Sequence, residues 1–102
     1  MDSQLKKGML DICVLAELIR QDSYGYQIIK DLSHIIEISE STLYPILRRL
    51  EKRNCLTTYT REHEGRLRKY YKITTLGKSK IDEFCREWRE ITDIIDFIRG
   101  AK

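Results

Sequence analysis

The chain has few of the residues that divide a protein into parts or equip it for catalysis. Its 102 residues include one proline and five glycines, without repeat or linker, so one domain is expected. Cys13, Cys55 and Cys85 are odd in number and form no CxxC pair, which argues against a disulfide framework or a zinc site. The two histidines, His34 and His63, are isolated from any candidate nucleophile. We therefore expect no enzymatic activity and no metal or other cofactor.

Long apolar runs are also missing. The longest strongly apolar stretch, residues 9–19, has 11 residues and contains Asp11 and Glu17. A helix that spans a membrane needs about 20 predominantly apolar residues. The first four residues also lack the basic and apolar segments of a secretory signal. A cytoplasmic protein without membrane association is the expectation.

Positive charge, by contrast, is concentrated in one stretch. Residues 48–72 contain nine basic and three acidic residues, a net charge of +6, whereas the whole chain carries +3. Such a surface suits a polyanion, because each Lys or Arg placed on a phosphate releases condensed counterions. A solvated charged face is the competing interpretation. It would have to explain why a helix and a hairpin are basic together.

The pattern before and within this stretch predicts three helices. Apolar periodicity indicates helices over about 4–20 and 24–33, the second with Ser23 as its N-cap. The third helix has Ser39 as its N-cap and ends near Arg53. Pro45 clashes with a regular helix interior, so this helix must start later or open with a tight turn.

The third helix has two distinct sides at 100° per residue. One arc is apolar and must face the core: Leu43, Ile46, Leu47 and Leu50. The opposite side carries Ser41, Pro45, Arg48 and Lys52, with Thr42 and Arg49 on one flank and Tyr44 on the other. The exposed face therefore has hydroxyl groups near its start and guanidinium groups one to two turns later. This arrangement is typical of a recognition helix in a DNA major groove.

A basic hairpin follows the third helix. Residues 55–61 and 67–73 predict two strands, and residues 62–65 predict a turn in which Gly65 supplies a positive φ. A two-stranded ribbon is not stable alone, so one face must lie on the helices. The other face of the second strand is nearly all cationic: Arg66, Arg68, Tyr70 and Lys72. The predicted fold is mostly α with a two-stranded β-wing, which is a winged helix-turn-helix.

The last segment predicts a long amphipathic helix over about 75–99, capped by Thr74. Its apolar seam has spacings of three and four: Ile81, Phe84, Trp88, Ile91, Ile95 and Ile98. A helix of about 25 residues spans roughly 37 Å, more than a domain of about 75 residues covers. In the alternative interpretation, the whole seam packs on its own domain. The length of the helix argues against this alternative.

We therefore predict a homodimer. The first helix is apolar almost all round, which also favours a second subunit. The predicted dimer interface consists of the six seam residues of the last helix together with Leu10, Cys13 and Val14 of the first helix. Residues 1–73 are predicted to be the DNA-binding domain, and residues 74–102 the dimerisation helix.

Three motifs of the chain resemble the PadR family of bacterial transcriptional regulators. They are residues 23–30 (SYGYQIIK), residues 41–51 (STLYPILRRLE), and residues 68–74 (RKYYKIT) with Gly77 shortly after. The resemblance covers essentially the whole chain, and the single short C-terminal helix is similar to the small subfamily. It implies a winged-helix DNA-binding domain and a dimer through the first and last helices. It also implies repression of a nearby detoxification or efflux operon.

The resemblance also implies roles for particular residues. Contacts with double-stranded DNA are expected from Ser41, Thr42, Tyr44, Arg48, Arg49, Arg66, Arg68, Lys69 and Tyr70. Trp88 resembles a tryptophan that stacks on flat aromatic compounds in multidrug-sensing members, with Ile12, Cys85 and Thr92 as further walls.

Three alternatives stay open. Trp88 packs in the seam without any ligand, or Cys85 is a thiol redox sensor. The serious rival to a DNA-binding regulator is a winged-helix protein-interaction module that has lost DNA binding.

Overall fold

The computed structural model describes residues 3–100, so the outermost residues of the two predicted domains, 1–2 and 101–102, lie outside the described range. The elements, in chain order, are α1 (Ser3–Arg20), α2 (Gly25–Leu32), α3 (Glu40–Lys52), β1 (Leu56–His63), β2 (Arg66–Ile73) and α4 (Thr75–Ile98). The strands form one antiparallel two-stranded sheet. The predicted mostly α fold with a β-wing is confirmed.

One core joins the helices to the root of the hairpin. Its largest fully buried side chains come from α1, α2, α3 and β1: Val14, Leu15, Leu18, Ile28, Leu43, Leu47 and Leu56. Helical spacings of three and four place the α1 and α3 members on one face each. Burying one such side chain contributes roughly 1.5–3 kcal/mol, so this core is the main stabilising contribution.

The start of α3 is capped as predicted, and Pro45 lies inside the helix. The Ser39 hydroxyl oxygen accepts a hydrogen bond from the Thr42 N–H at 3.3 Å, so the predicted N-cap is confirmed. The Thr42 N–H also lies 3.2 Å from the Ser39 carbonyl oxygen, a bond between residues three apart. The same carbonyl also accepts the regular helical bond from the Leu43 N–H at 2.9 Å, so a tight bond and a helical bond share the opening turn. The helix begins at Glu40, after Ser39 as predicted, and contains Pro45.

The predicted N-cap at Ser23 is wrong. The residue before α2 is Tyr24, whose side chain makes no capping hydrogen bond. The backbone of Ser23 instead pairs with β2: its N–H donates to the Tyr71 carbonyl at 3.2 Å, and the Tyr71 N–H donates back at 2.7 Å. The Ser23 hydroxyl is buried and has no hydrogen-bond partner among residues 3–100. This bridge connects the α1–α2 loop to the wing.

The hairpin is more tightly closed than the sequence predicted. Its register runs from the pair Leu56–Ile73 to the pair His63–Arg66, so only Glu64 and Gly65 form the loop. Their φ angles are 51° and 80°, values that match a type I′ turn. The predicted positive φ at Gly65 is confirmed.

The first turn of α4 is fixed against the hairpin root. The Thr74 hydroxyl oxygen accepts a hydrogen bond from the Gly77 N–H at 3.1 Å, which confirms the predicted cap. A Cβ on Gly77 would lie 2.3 Å from the Cys55 carbonyl oxygen and 2.7 Å from Ile73 Cγ1. Glycine is therefore the residue that allows α4 to pack so closely on the wing.

The chain as a whole measures 60 × 26 × 21 Å, and the far half of α4 extends away from its body. Ile94, Phe97 and Ile98 are 59%, 72% and 73% exposed. These side chains form an apolar surface that the single chain leaves in water. None of the helices within residues 3–100 combines the length and the apolar character needed to cross a membrane.

Candidate nucleic-acid interface

The solvent side of α3 contains the residues that its amphipathic pattern assigned there. Ser41, Thr42, Tyr44, Pro45 and Arg48 are all exposed, while the apolar arc is buried in the core. The Ser39 hydroxyl lies 3.0 Å from the Ser41 hydroxyl and donates to Thr42 Oγ1 at 3.2 Å. These linked hydroxyl groups stand at the start of the helix, and Arg48 stands about two turns further along.

A groove of about 430 Å³ separates α3 from the wing, and we call it the wing groove. Its lining residues come from α2, α3, β2 and the residue before α2: Tyr24, Gly25, Tyr26, Tyr44, Arg68, Lys69 and Tyr71. A Cβ on Gly25 would lie 2.3 Å from the Tyr44 hydroxyl oxygen, so glycine lets this side chain pack on the backbone of α2. Phenol hydroxyls and two cations therefore border one concave surface, which suits a phosphate oxygen.

The outer face of the wing is organised by stacked rings and guanidinium groups. Tyr59 and Tyr70 stack with centroids 5.5 Å apart and planes 8° from parallel. The Arg61 guanidinium lies over both rings, at 5.7 and 5.2 Å from their centroids. The Arg68 guanidinium lies 3.9 Å from the centroid of Tyr24, which packs edge-on against Tyr70. The result is a rigid cationic face on the wing.

Sequence reasoning missed two residues of this face, Tyr59 and Arg61, and the hydrogen bond of Tyr59 to Asp22. The Tyr59 hydroxyl donates a hydrogen bond to Asp22 Oδ2 at 2.7 Å. This bond to a carboxylate raises the pKa of the Tyr59 hydroxyl above its ordinary value. The signal was present in the alternation of β1, where Thr57, Tyr59, Arg61 and His63 share a face with the cationic side of β2.

Two of the predicted DNA-binding residues, Arg49 and Lys69, form ion pairs within the chain. Arg49 Nη2 lies 2.6 Å from Asp11 Oδ1, which joins α3 to α1 through a partly buried ion pair. Lys69 Nζ lies 3.8 Å from Glu51 Oε1 and 5.5 Å from the centroid of Tyr71. Arg48 and Arg66 are exposed, and within residues 3–100 neither has a recorded ion pair. Direct contact of all four residues with DNA stays a prediction.

Of the four predicted ligand residues, Ile12 lines the cavity between α1 and α4, whereas the other three do not. A cavity of about 610 Å³ between α1 and α4 includes Ile12 and Phe84 among its lining residues, but not Cys85, Trp88 or Thr92. Trp88 is half-buried, and its ring centroid lies 6.0 Å from that of Phe84. The Thr92 hydroxyl donates to the Trp88 carbonyl oxygen at 2.9 Å. A shared ligand site at these residues stays a prediction.

The predicted dimer residues fall into three groups. Leu10 and Val14 are buried in the chain's own core, so in this conformation they offer a second copy almost no surface. Cys13, Ile81, Phe84 and Trp88 are half-buried, and burial raises the pKa of the Cys13 thiol above its ordinary value. Ile91, Ile95 and Ile98 are exposed. On α1, Leu5 and Ile19 are exposed apolar residues that were not among the predicted interface residues.

Residues 14–83 match the model of the transcriptional regulator PadR-like family. This chain belongs to that family. The structure of a PadR-like transcription factor from Bacteroides fragilis is 36% identical in sequence to this chain and superposes with a TM-score of 0.84. The match covers 94% of this chain and 95% of the other chain. A PadR family transcriptional regulator from Eggerthella lenta is 33% identical, with a TM-score of 0.83, and the match covers 97% of this chain and 88% of the other chain. An uncharacterized protein of Lysinibacillus sphaericus is 38% identical over 98% of this chain and 97% of its own length.

Membership in the PadR family makes this chain a transcriptional regulator with a winged-helix domain. The resemblance drawn from the three motifs is therefore confirmed. The matched residues 14–83 include all of α2, α3 and the wing, which are the elements that build the interface described above.

Proposed function

We propose that this PadR-family regulator is a homodimeric, sequence-specific repressor of a nearby detoxification or efflux operon, released by a small aromatic ligand. The main supporting observation is that Tyr44 of α3 and Arg68 and Lys69 of the wing line one groove. A helix in the major groove and a wing on the adjacent backbone use such a surface.

The residues divide into two proposed roles. Ser41, Thr42 and Arg48 stand on the exposed side of α3, where side chains contact base edges in the major groove. The wing residues Arg66, Arg68, Lys69 and Tyr70, together with Tyr44, contact phosphates and fix the register. Arg49 adds a phosphate contact at the edge of α3, or orients α3 through its ion pair with Asp11.

A homodimer through α4 is the second part of the proposal. Ile91, Ile95 and Ile98 of the apolar seam are exposed, and a partner chain packed on the seam would remove them from water. In this arrangement residues 1–73 bind DNA and residues 74–102 dimerise. Two recognition helices then contact half-sites about 34–36 Å apart, one turn of duplex.

The ligand proposal concerns the half-buried Trp88. In a dimer through α4, the Trp88 rings of the two copies approach each other, with Ile12, Cys85 and Thr92 as further walls. Flat aromatic compounds stack on such rings because stacking needs only a π-face and apolar surroundings. Titration with planar dyes should quench Trp88 fluorescence. Absence of quenching at saturating dye would leave Trp88 a packing residue.

The test of DNA binding is a salt titration on the duplex that lies upstream of the chain's own gene. We expect a Kd that rises steeply with salt, because phosphate contacts release counterions. Replacing Lys69 by Ala should weaken binding to operator and scrambled duplexes alike and reduce the salt slope by about one unit per chain. If the chain binds no duplex even in dilute buffer, the protein-interaction module becomes the better account of this fold.

Arg48 is the matched variant for base recognition. Arg48→Ala should cost about 1–3 kcal/mol on the operator and little on scrambled DNA, since a base contact carries sequence information. Equal losses on both duplexes would assign Arg48 to phosphate instead.

We also propose a cytoplasmic, non-enzymatic role, which the relatives described as transcription factors and regulators support.

A further inference from the structure

A second basic groove lies on the flank of α3 that faces away from the wing, and we call it the α1 groove. It measures about 370 Å³ and is lined by residues of α1 and α3: Lys6, Lys7, Leu10, Ser41, Thr42, Pro45, Ile46 and Arg49. At 100° per residue, Thr42 and Arg49 stand about 140–160° around α3 from Tyr44, which borders the wing groove. The solvent side of α3 thus has a basic groove along each flank.

The α1 groove has a fixed geometry. Leu10 and Ile46 are buried in the core and form its apolar floor. The ion pair of Arg49 with Asp11, at 2.6 Å, joins α3 to α1 directly beside the groove. Because the Asp11 carboxylate is paired with Arg49, it does not neutralise the lysines on the preceding turn of α1. Lys6 and Lys7 therefore stand at a set distance from the residues of α3.

Both ammonium groups are available for a partner. Lys6 and Lys7 are exposed, and within residues 3–100 no ion pair of either is recorded. Two carboxylates are near: Asp11, which is paired with Arg49, and Glu37, which borders the neighbouring depression that Lys6 also lines. Lys7 does not line that depression.

We propose that Lys6 and Lys7 bind the phosphate backbone on the side of α3 opposite the wing. The inference rests on the proposed DNA binding and extends it to α1. A helix with its side chains is about 10–12 Å across, and the B-DNA major groove is about 12 Å wide. A helix that fills the groove therefore has one backbone along each flank. The wing-groove cations Arg68 and Lys69 serve one backbone, and Lys6 and Lys7 serve the other.

This arrangement gives α3 a defined angle in the groove. Contacts on one flank alone would let the helix roll about its axis, whereas contacts on both flanks hold the Ser41 and Thr42 hydroxyls toward the bases. The lysines contribute affinity without sequence preference, because phosphates are the same at every position. Their loss should therefore weaken binding to every duplex.

The test compares the unaltered chain with K6A/K7A, measuring Kd by fluorescence anisotropy across a salt series. K78A/K80A is the matched control, because it removes the same two charges from the first turns of α4, where Lys80 borders the cavity between α1 and α4. We expect K6A/K7A to reduce the salt slope by about 0.9 per lysine and chain, equally on operator and scrambled duplexes. K6R/K7R should restore the slope, and the control should leave it unchanged.

Each other outcome contradicts a defined part of the proposal. A slope for K6A/K7A that matches the control removes the lysines from the DNA contact while DNA binding itself stands. A loss confined to the operator would show a base contact rather than a phosphate contact. An unaltered chain that binds no duplex removes the proposed function and this inference together. Thermal unfolding of each variant by circular dichroism confirms that α1 remains folded.

Discussion

At the scale of single residues, pairing within the chain changes what a charged side chain does. Arg49 and Asp11 lie 38 positions apart in sequence, yet their side chains meet at 2.6 Å with 24% and 18% of their surfaces exposed. The helical pattern could place Arg49 on the flank of α3. Only the packing of α1 against α3 shows that the guanidinium already has a carboxylate partner.

The first prediction concerns this pair. Arg49→Ala should lower the free energy of unfolding by about 1–3 kcal/mol, because it leaves a partly buried carboxylate without its partner. A double-mutant cycle with Asp11→Ala, followed by urea unfolding, measures the coupling. The exposed Arg48→Ala is the control and should leave stability nearly unchanged. A coupling energy of zero in the cycle would show that the ion pair contributes nothing measurable.

A buried acid gives the second prediction. Glu17 is 6% exposed, and burial followed by its hydrogen bond and charge interaction with Asp31 raises the pKa of Glu17. A carboxyl whose pKa is raised on folding favours the folded state below its unfolded value of about 4.5. That contribution is lost as pH rises through the higher folded pKa.

Glu17→Gln removes this titration. The variant should therefore unfold at a higher temperature than the unaltered chain at pH 7, while the difference shrinks or reverses near pH 4. Thermal unfolding followed by circular dichroism across pH measures the unfolding temperatures of the variant and of the unaltered chain. Glu83→Gln, on an exposed position of α4, is the control with the same chemical change. A constant difference across pH would show that Glu17 does not titrate differently in the folded chain.

At the scale of elements, the sequence predicted a helix start correctly where the capping bond joins residues that are close together in the chain. Ser39 and Thr74 cap α3 and α4 through bonds that close within three residues, so their role could be predicted from sequence. Ser23 has the same chemistry, yet its backbone pairs with Tyr71, 48 positions away. That distant pairing overrides the local preference, which is why the sequence could not distinguish Ser23 from the two caps.

Two glycines provide the third prediction. Gly77→Ala should destabilise the fold by roughly 1–3 kcal/mol, because its Cβ would overlap the Cys55 carbonyl oxygen, a backbone atom. Gly8→Ala is the matched control, since a Cβ there meets nothing within 4 Å inside a helix. It should stabilise by about 0.5–1 kcal/mol through helix propensity. Urea unfolding measures both, and the two changes should have opposite signs.

At the scale of the whole molecule, the apolar surface on the far half of α4 is the feature a single chain does not explain. Ile95 is 40% exposed and Phe97 72% exposed, and these residues lie on the part of the helix that extends away from the body. Monomeric soluble proteins rarely expose contiguous apolar surface of this kind. The length of α4 was predicted from the seam, and its exposure follows from the small size of the domain it extends from.

The fourth prediction tests the proposed dimer. Sedimentation of the unaltered chain should give twice the mass of one chain, and Ile95→Glu should shift it toward the single chain by placing a charge in the interface. Ile35→Glu is the control, because Ile35 is 80% exposed in the segment between α2 and α3. A monomeric unaltered chain would contradict the dimer, and equal effects of both variants would show a general effect of charge.

The order of helices and strands, the sides of α3 and the concentration of basic charge could be predicted from the amino-acid sequence. Those properties depend on periodicity and on neighbours a few positions apart. The pairing of Asp11 with Arg49, the bond of Tyr59 to Asp22 and the two basic grooves beside α3 became apparent in the folded chain alone. Each of these contacts joins distant parts of the chain, and the packing of the shared core sets their geometry.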